Sequence, residues 1–332
     1  MKWRLAFALA LVAVVVTGCE SVAYYTQAIG GQLSLFSRSR PVEDWLADPA
    51  TTPELRSRLL KAKGIREFAS RALALPDNGS YHSYAQLDRP YVVWNVYAAG
   101  EFSVEAKQEC FPFAGCVSYR GFFSESEARR HAEALRREGY DVYVGGVAAY
   151  STLGWFDDPL LSTFIGFSDT QLARLVFHEL AHQKVYARND TAFNESFAVT
   201  VEEEGVRRWL EAEGRGAELD VFRAAQARKR DFASRMKQTR ERLASIYKAG
   251  GSKETLLAQK RGEFDRLRAD YPGIVPAEPN NAFLVSIALY TEMVPAFERL
   301  LAACQGDLPE FYRRATKIGE LPKDERQVAL AH

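Results

Sequence analysis

The decapeptide Arg174–Gln183, RLVFHELAHQ, constrains this chain most, because it sets two histidines and a glutamate in the pattern H-E-x-x-H. Apolar residues flank the pattern at helical spacing and predict a buried α-helix. His178 and His182 then lie on one face, where both imidazoles can bind one zinc ion. Glu179 points to the same side and is the predicted general base for a zinc-activated water. The pattern also arises by chance in helices, but two of the five histidines in the chain fall here.

Glu195 is the predicted third zinc ligand. It stands in FNESFA, which resembles the N-E-G-F-A stretch that supplies the glutamate ligand in gluzincin-type zinc aminopeptidases. Twelve residues separate it from His182 (183 to 194), whereas Glu202, with nineteen (183 to 201), matches the longer gluzincin gap. Because Glu195 and Glu202 are two helical turns apart, both face the same way, and the one that misses the metal can orient a histidine. Glu202 also begins a run of three glutamates, for which we expect a solvated helix face.

Residues 1–18 are predicted to be a lipoprotein signal peptide rather than part of the fold. A basic start, Lys2 and Arg4, precedes an apolar run, Leu5–Val16, that is too short to span a bilayer comfortably. The run ends in VTGC, which resembles the bacterial lipobox and predicts cleavage before a lipid-bearing Cys19. The alternative is an ordinary secretory signal followed by an accidental cysteine.

Residues 19–40 are predicted to form a lipidated tether, part of which packs on the fold because it contains aromatic and leucine side chains. By resemblance to Gram-negative lipoproteins, glutamate rather than aspartate at position 20 favours the outer membrane. We therefore expect a protein of the bacterial cell envelope that is anchored to the outer membrane through Cys19 and faces the periplasm.

The composition is that of an ordinary globular protein, with 47% hydrophobic residues, 26% charged residues and a formal net charge of zero. The sequence has no basic stripe with interleaved aromatic residues, so it gives no support for nucleic-acid binding. Its apolar periodicity predicts a predominantly helical α+β fold with a small β-sheet. Besides the zinc helix, helices are predicted at 53–75, 124–138, 193–210, 217–249, 254–271 and 280–304, and strands at 90–98 and 141–152.

Several local features refine these elements. Ser168 or Asp169 is predicted to cap the zinc helix. The two long, charged C-terminal helices resemble an antiparallel hairpin, which we expect to be a solvated structural arm. Pro295 should end or kink the last apolar helix. The strand at 141–152 should break at its glycines.

Cys110 and Cys116 enclose a five-residue loop and are predicted to form a local disulfide, because a close pair in an exported protein is typical of one. The alternative is a metal-binding pair, whose thiolates would be open to oxidation outside the cytosol. Tyr119 follows directly and is a candidate either for the site or for ordinary packing. Cys304 has no evident partner and is expected to be a buried free thiol.

Substrate-binding residues are predicted just before the zinc helix. Zincins bind substrate by strand addition to an edge strand, and Val147–Thr152, which includes Tyr150, is placed for that role. An aminopeptidase also needs an acidic group for the α-ammonium of its substrate, and Asp157, Asp158 or Glu202 can supply it. A simple turn also explains the two aspartates. Candidates for a tyrosine that stabilises the oxyanion are Tyr119, Tyr150, Tyr247 and Tyr290.

Four segments in order, CFPFAGCVSYRGFF, AYSTLGWFDDPLL, FHELAHQ and FNESFA, resemble the bacterial family of predicted zinc aminopeptidases. The resemblance covers nearly the whole chain after the lipobox. It implies a zincin-like peptidase domain over residues 41–332, with an α/β part to about residue 165 and a helical part after it. It also implies a peptide substrate and one zinc ion per chain.

The predicted function is zinc-dependent hydrolysis of N-terminal peptide bonds, with zinc held by His178, His182 and Glu195 and with Glu179 as the base. One alternative is an envelope metalloendopeptidase that acts on unfolded proteins and would accept N-acetylated peptides. Another is a non-enzymatic outer-membrane lipoprotein with a structural zinc, an alternative that a fourth protein ligand would favour.

Overall fold

A computed structural model describes residues 26–27, 29–111, 115–149 and 151–331. Helices dominate the described chain and three small sheets accompany them, which confirms the predicted, mainly helical α+β fold. No described helix has both the length and the apolar character that crossing a membrane requires. The helices are α1 (26–27 and 29–38), α2 (Val42–Ala47), α3 (Pro53–Leu73), α4 (Glu125–Arg137), α5 (Asp169–Lys184), α6 (Thr191–Ala212), α7 (Gly216–Ala249), α8 (Lys253–Asp270), α9 (Asn281–Thr291), α10 (Val294–Ala303), α11 (Leu308–Gly319) and α12 (Lys323–Ala331).

The strands form three separate sheets. In the sheet that lies closest to α9, β3 is central and pairs antiparallel with β6 on one side and with β7 on the other. A second sheet has the order β1-β2-β8, and β4 and β5 form a hairpin. The strands are β1 (Ser39–Pro41), β2 (Ser83–Ala85), β3 (Val93–Gly100), β4 (Glu109–Phe111), β5 (Gly115–Val117), β6 (Arg120–Phe122), β7 (Tyr140–Val147) and β8 (Leu160–Leu161).

The pair α5 and α6 forms the centre of the molecule. Ser168 caps α5 through a capping box with Gln171, so the first of the two predicted caps is the one used. A Cβ atom at Gly205 of α6 would come within 2.8 Å of both Leu73 and Phe177. The missing side chain therefore lets α6 lie directly against α5 and α3, and this close packing fixes the face of α5 that carries the histidines.

The long helices α7 and α8 are not the solvated arm that the sequence suggested. Their inner faces contribute Met236, Leu243 and Phe264 to a hydrophobic cluster with Leu284 of α9. Lys260 of α8 forms a 2.6 Å ion pair with a residue of β7. Apolar positions spread thinly along charged helices thus suffice to pack them against the rest of the fold.

Two predicted breaks have different outcomes. The predicted helix at 280–304 stops after Thr291 and resumes as α10, with Pro295 in the first turn of the new helix, where a proline costs no hydrogen bond. The predicted glycine break in the strand at 141–152 is wrong, because β7 runs through Gly145 and Gly146 in register with β3. The strand ends instead at Val147.

Candidate metal centre

Three side chains from α5 and α6 converge on one point. His178 Nε2 lies 3.1 Å from His182 Nε2 and 3.3 Å from Glu195 Oε2, and His182 Nε2 lies 3.5 Å from the same oxygen. Among the described residues these three form the one group that could hold a metal ion. A tetrahedral ion with bonds of about 2.0–2.1 Å, as zinc has, keeps its ligand atoms about 3.3 Å apart. The spacing of the three atoms therefore fits such an ion.

The sequence around Glu195 explains how a short loop brings it to the histidines. The amide of Asn194 donates to the Ala187 carbonyl at 2.9 Å, and its oxygen accepts from the Ala187 N–H at 2.7 Å, so it clamps the connection between α5 and α6. The hydroxyl of Ser196 accepts from the N–H of Met293 at the break between α9 and α10. The Asn-Glu-Ser tripeptide thus fixes both neighbours of the glutamate while the glutamate faces α5.

Glu202 lies behind His178 rather than among the three converging atoms. Its Oε2 atom is 2.9 Å from His178 Nδ1, and its Oε1 atom accepts from Arg174 Nε at 2.6 Å. The residue is only 2% exposed, so the expected solvated glutamate run is wrong at this position. A carboxylate on the Nδ1 side of an imidazole fixes its orientation and leaves Nε2 as the ligand atom.

The electrostatics of the cluster call for a cation at its centre. Burial alone would lower the pKa of His178, but hydrogen bonds to Glu195 and Glu202 raise that pKa to about 10. Burial would raise the pKa of Glu195, yet His182 and His178 lower it to about 2. Glu202 behaves alike, because Arg174 and His178 outweigh its burial and lower its pKa to about 2. Without a metal, a proton on His178 supplies the positive charge that these carboxylates require.

Glu179 is buried beside this cluster. Burial raises its pKa above the usual value, and the charges of His178 and His182 oppose that rise. A carboxylate whose pKa is raised toward neutral pH is a stronger base than an exposed one, so it is better suited to take a proton from a nearby water. A buried carboxylate with a raised pKa therefore lies beside the converging histidines.

A group of tyrosines lines the same space. The Tyr290 ring stacks on His178 with centroids 6.5 Å apart, and it packs against the cluster that contains Tyr97. Tyr119 packs on Tyr97 at 5.4 Å and makes no hydrogen bond to a described residue. Its pKa is well above the usual value because of burial first, and then because of nearby carboxylates that include Glu195. Tyr119 is therefore protonated beside the metal centre and can donate a hydrogen bond, and no described residue accepts one from it.

Two tyrosines near these residues, Tyr97 and Tyr186, were not predicted as site residues. Tyr97 was read only as part of a strand, and alternation along β3 gives no sign that it faces α9. Tyr186, whose pKa rises because of burial and the charge of Glu195, lies four residues after His182. That spacing was a usable signal. The fourth candidate, Tyr247, donates its hydroxyl to Asn281 at 2.9 Å and packs in the α7–α9 cluster, so it does not join the group.

The two aspartates predicted to bind the substrate ammonium, Asp157 and Asp158, differ in burial. Asp158 is buried, and its Oδ2 atom accepts from the Thr152 N–H at 2.9 Å. Burial raises the pKa of Asp158 to about 6. Its N–H donates to the Ser80 hydroxyl at 3.3 Å, and the same hydroxyl accepts from the side chain of Gln183, the residue after His182, at 3.1 Å. Asp157 is exposed to solvent. The expected edge strand at Val147–Thr152 is wrong, because its described residues after Val147 form a loop.

The two cysteine predictions are confirmed. Cys110 and Cys116 form a disulfide across paired β4 and β5, and Cys304 is a buried free thiol. The Cys116 N–H donates to the side chain of Asn189, at 2.9 Å, in the loop that joins α5 to α6. The stapled hairpin is thereby tied to the metal-centre loop, and Tyr119 follows it directly. Cys19 and Tyr150 lie outside the described residues.

The family model described as "Putative aminopeptidase" matches residues 23–330. No curated protein and no solved structure was found to match the chain. The matched span contains both helices of the metal centre, the tyrosine group and the disulfide hairpin.

Proposed function

We propose that this chain, which belongs to the family described as "Putative aminopeptidase", is a zinc-dependent aminopeptidase with a zincin-like site. The observation that carries the proposal is the convergence of two imidazole nitrogens and one carboxylate oxygen at 3.1–3.5 Å, with a buried glutamate beside them. No further histidine, cysteine, aspartate or glutamate of the described residues joins this group as a fourth ligand. An open position favours a catalytic over a structural zinc.

The residues around that point have different roles in peptide hydrolysis. Zinc bound by His178, His182 and Glu195 would supply Lewis acidity toward a water and a peptide carbonyl. Glu179 accepts the proton of the attacking water and passes it to the leaving amine. Tyr119 donates a hydrogen bond to the oxygen that gains negative charge in the transition state, since no described residue competes for its hydroxyl.

Removal of single N-terminal residues requires a group that measures the cut from the chain end. Asp158 supports this role, because it is a buried carboxylate held in place by Thr152 and linked to Gln183 through Ser80. An incoming α-ammonium favours its charged form and pairs with it. A blocked N-terminus would leave Asp158 unpaired and lose this interaction.

The proposal includes a location. The lipobox-like VTGC sequence supports cleavage before Cys19 and lipid anchoring there. We assign the protein to the bacterial cell envelope, on the periplasmic side of the outer membrane.

The experiment that tests the function measures zinc and cleavage together. The chain is purified without chelator, its zinc content is determined, and it is offered peptides with a free or an acetylated N-terminus. We expect about one zinc per chain and cleavage of the free peptides only. Cleavage of both peptides would identify an endopeptidase, whereas a chain that neither holds nor takes up zinc would refute the proposed chemistry.

A further inference from the structure

Exposed apolar side chains cluster on α1 and on the loop that precedes β8. Trp155 is 82% exposed and Phe156 is 51% exposed, while Ile29 and Leu33 of α1 are 59% and 61% exposed. The two groups are joined through Phe36, whose ring lies 5.2 Å from that of Phe156. We call Ile29, Leu33, Trp155 and Phe156 the apolar patch.

The helix α1 is apolar on two sides. Leu35 is 1% exposed and packs into the main core. Ile29, Leu33 and Phe36 follow each other at i, i+4 and i+7, which places them on a different, common face. Because Ile29 and Leu33 on this face stay exposed in the described structure, its periodic apolar character indicates a partner outside the protein fold.

The loop between Thr152 and Asp158 is built to display its aromatic residues. The Thr152 N–H donates to Asp158, and the Thr152 side chain accepts from the Phe156 N–H at 3.2 Å. The Trp155 N–H donates to the Thr152 carbonyl at 3.1 Å. A turn hydrogen-bonded at its base in this way holds Trp155 and Phe156 outward.

The position of the lipid anchor identifies the partner. Residue 26, where the described part of α1 begins, is seven positions after Cys19, a separation of at most about 25 Å. If Cys19 carries lipid, as proposed above, α1 is held next to the bilayer surface. Tryptophan and other large apolar side chains favour the membrane–water interface. We propose that the apolar patch inserts into the interface of the lipid bilayer and orients the domain on it.

This orientation has a consequence for the metal centre. The inserted loop leads into Asp158, whose N–H donates to the same Ser80 hydroxyl that accepts from the side chain of Gln183. A Cβ atom at Gly154 would lie 3.7 Å from Gln183, the residue after His182. One wall of the metal centre therefore rests on the bilayer, and the peptides that reach the centre are those presented at the membrane surface.

The test uses the full lipidated chain, reconstituted into vesicles of phosphatidylethanolamine and phosphatidylglycerol whose acyl chains carry bromine, a quencher of tryptophan. The Trp155 signal is the emission of the wild-type chain minus that of the Trp155→Phe chain. As a matched control, Val221→Trp is placed in the Trp155→Phe background, because Val221 is 68% exposed on α7, outside the patch. The control signal is the emission that this second substitution adds. We expect the Trp155 signal to lose most of its intensity on brominated vesicles, compared with vesicles that carry no bromine. The control signal should be the same on both.

Equal emission losses from the wild-type and Trp155→Phe chains would overturn the membrane contact. A Trp155 signal that survives on vesicles, together with self-association that Trp155→Ser abolishes, would assign the patch to a second copy and also overturn it. Failure of the chain to stay with the vesicles would remove the anchor on which the proposal rests. Zinc content and peptide cleavage are measured on the same preparation, so a failure of the proposed reaction is seen separately.

Discussion

His178 Nδ1 lies 2.9 Å from Glu202 Oε2, on the side of the imidazole opposite the atom that faces Glu195. Glu202 is itself held by Arg174 at 2.6 Å. Glu195 and Glu202 of α6 therefore contact the two different ring nitrogens of His178. Their roles differ although they lie on one face of the helix.

This relationship separates the two glutamates experimentally. Glu195→Gln should abolish zinc binding, because it replaces a charged carboxylate ligand with a neutral amide. Glu202→Gln should keep about one zinc per chain but lower the affinity for zinc by roughly 10–100-fold, because His178 loses its charged partner. Zinc content after dialysis and competition with a chelator measure both effects. Glu211→Gln, on the exposed side of α6, is the control, and equal zinc loss in Glu195→Gln and Glu202→Gln would contradict the assignment.

Glu179 should matter for turnover and not for metal. Glu179→Gln keeps the size of the side chain but cannot accept a proton, so kcat should fall by roughly 10²–10⁴-fold while zinc content stays the same. Steady-state cleavage of a free-amine peptide and zinc analysis of the same sample check this. Activity within a few-fold of wild type would contradict the role of Glu179 as the general base.

Tyr119 should act on the transition state. Tyr119→Phe removes the hydroxyl alone, and we expect kcat to fall by about 10²–10³-fold with little change in KM. Tyr247→Phe is the matched control, because its hydroxyl bonds Asn281 away from the metal centre. If both variants turn over like wild type, the hydroxyl of Tyr119 takes no part in the reaction.

Asp158 should select substrates with a free N-terminus. Asp158→Asn should raise KM and lower kcat/KM for free-amine peptides by about 10-fold or more, because a buried charge partner of the ammonium is lost. Asp157→Asn, one residue earlier and exposed, should leave these constants unchanged. Kinetics on free-amine peptides decide the point, and an unchanged KM in Asp158→Asn would assign the ammonium to another group.

Zinc affinity should rise with pH. In the metal-free protein the pKa of His178 is raised from 6.5 to about 10, so its proton stabilises the fold fully below pH 6.5 and that stability is lost as the pH rises toward 10. Zinc needs the deprotonated imidazole, so its affinity should increase by about tenfold per pH unit in this window. Chelator competition at several pH values measures the slope, and a flat profile would contradict it.

The metal ligands of α5 could be predicted from sequence because their spacing is a local property. Four residues on a helix put two side chains on one face whatever surrounds the helix. The capping of α5 by Ser168 and the disulfide between Cys110 and Cys116 are equally local, since each joins residues close in the chain. Such features can be predicted without knowledge of the fold.

The rest of the centre was decided by packing between distant segments. The burial of Glu202 depends on Arg174, 28 residues away, and on the close approach of α6 to α5 at Gly205. The meeting of Tyr97 with Tyr290 joins a strand to a helix nearly two hundred residues later. Sequence determined which residues have the chemistry to bind a metal and move a proton. Only the tertiary structure decided which carboxylates and hydroxyls reach that point, because burial and long-range contact are properties of the packed chain.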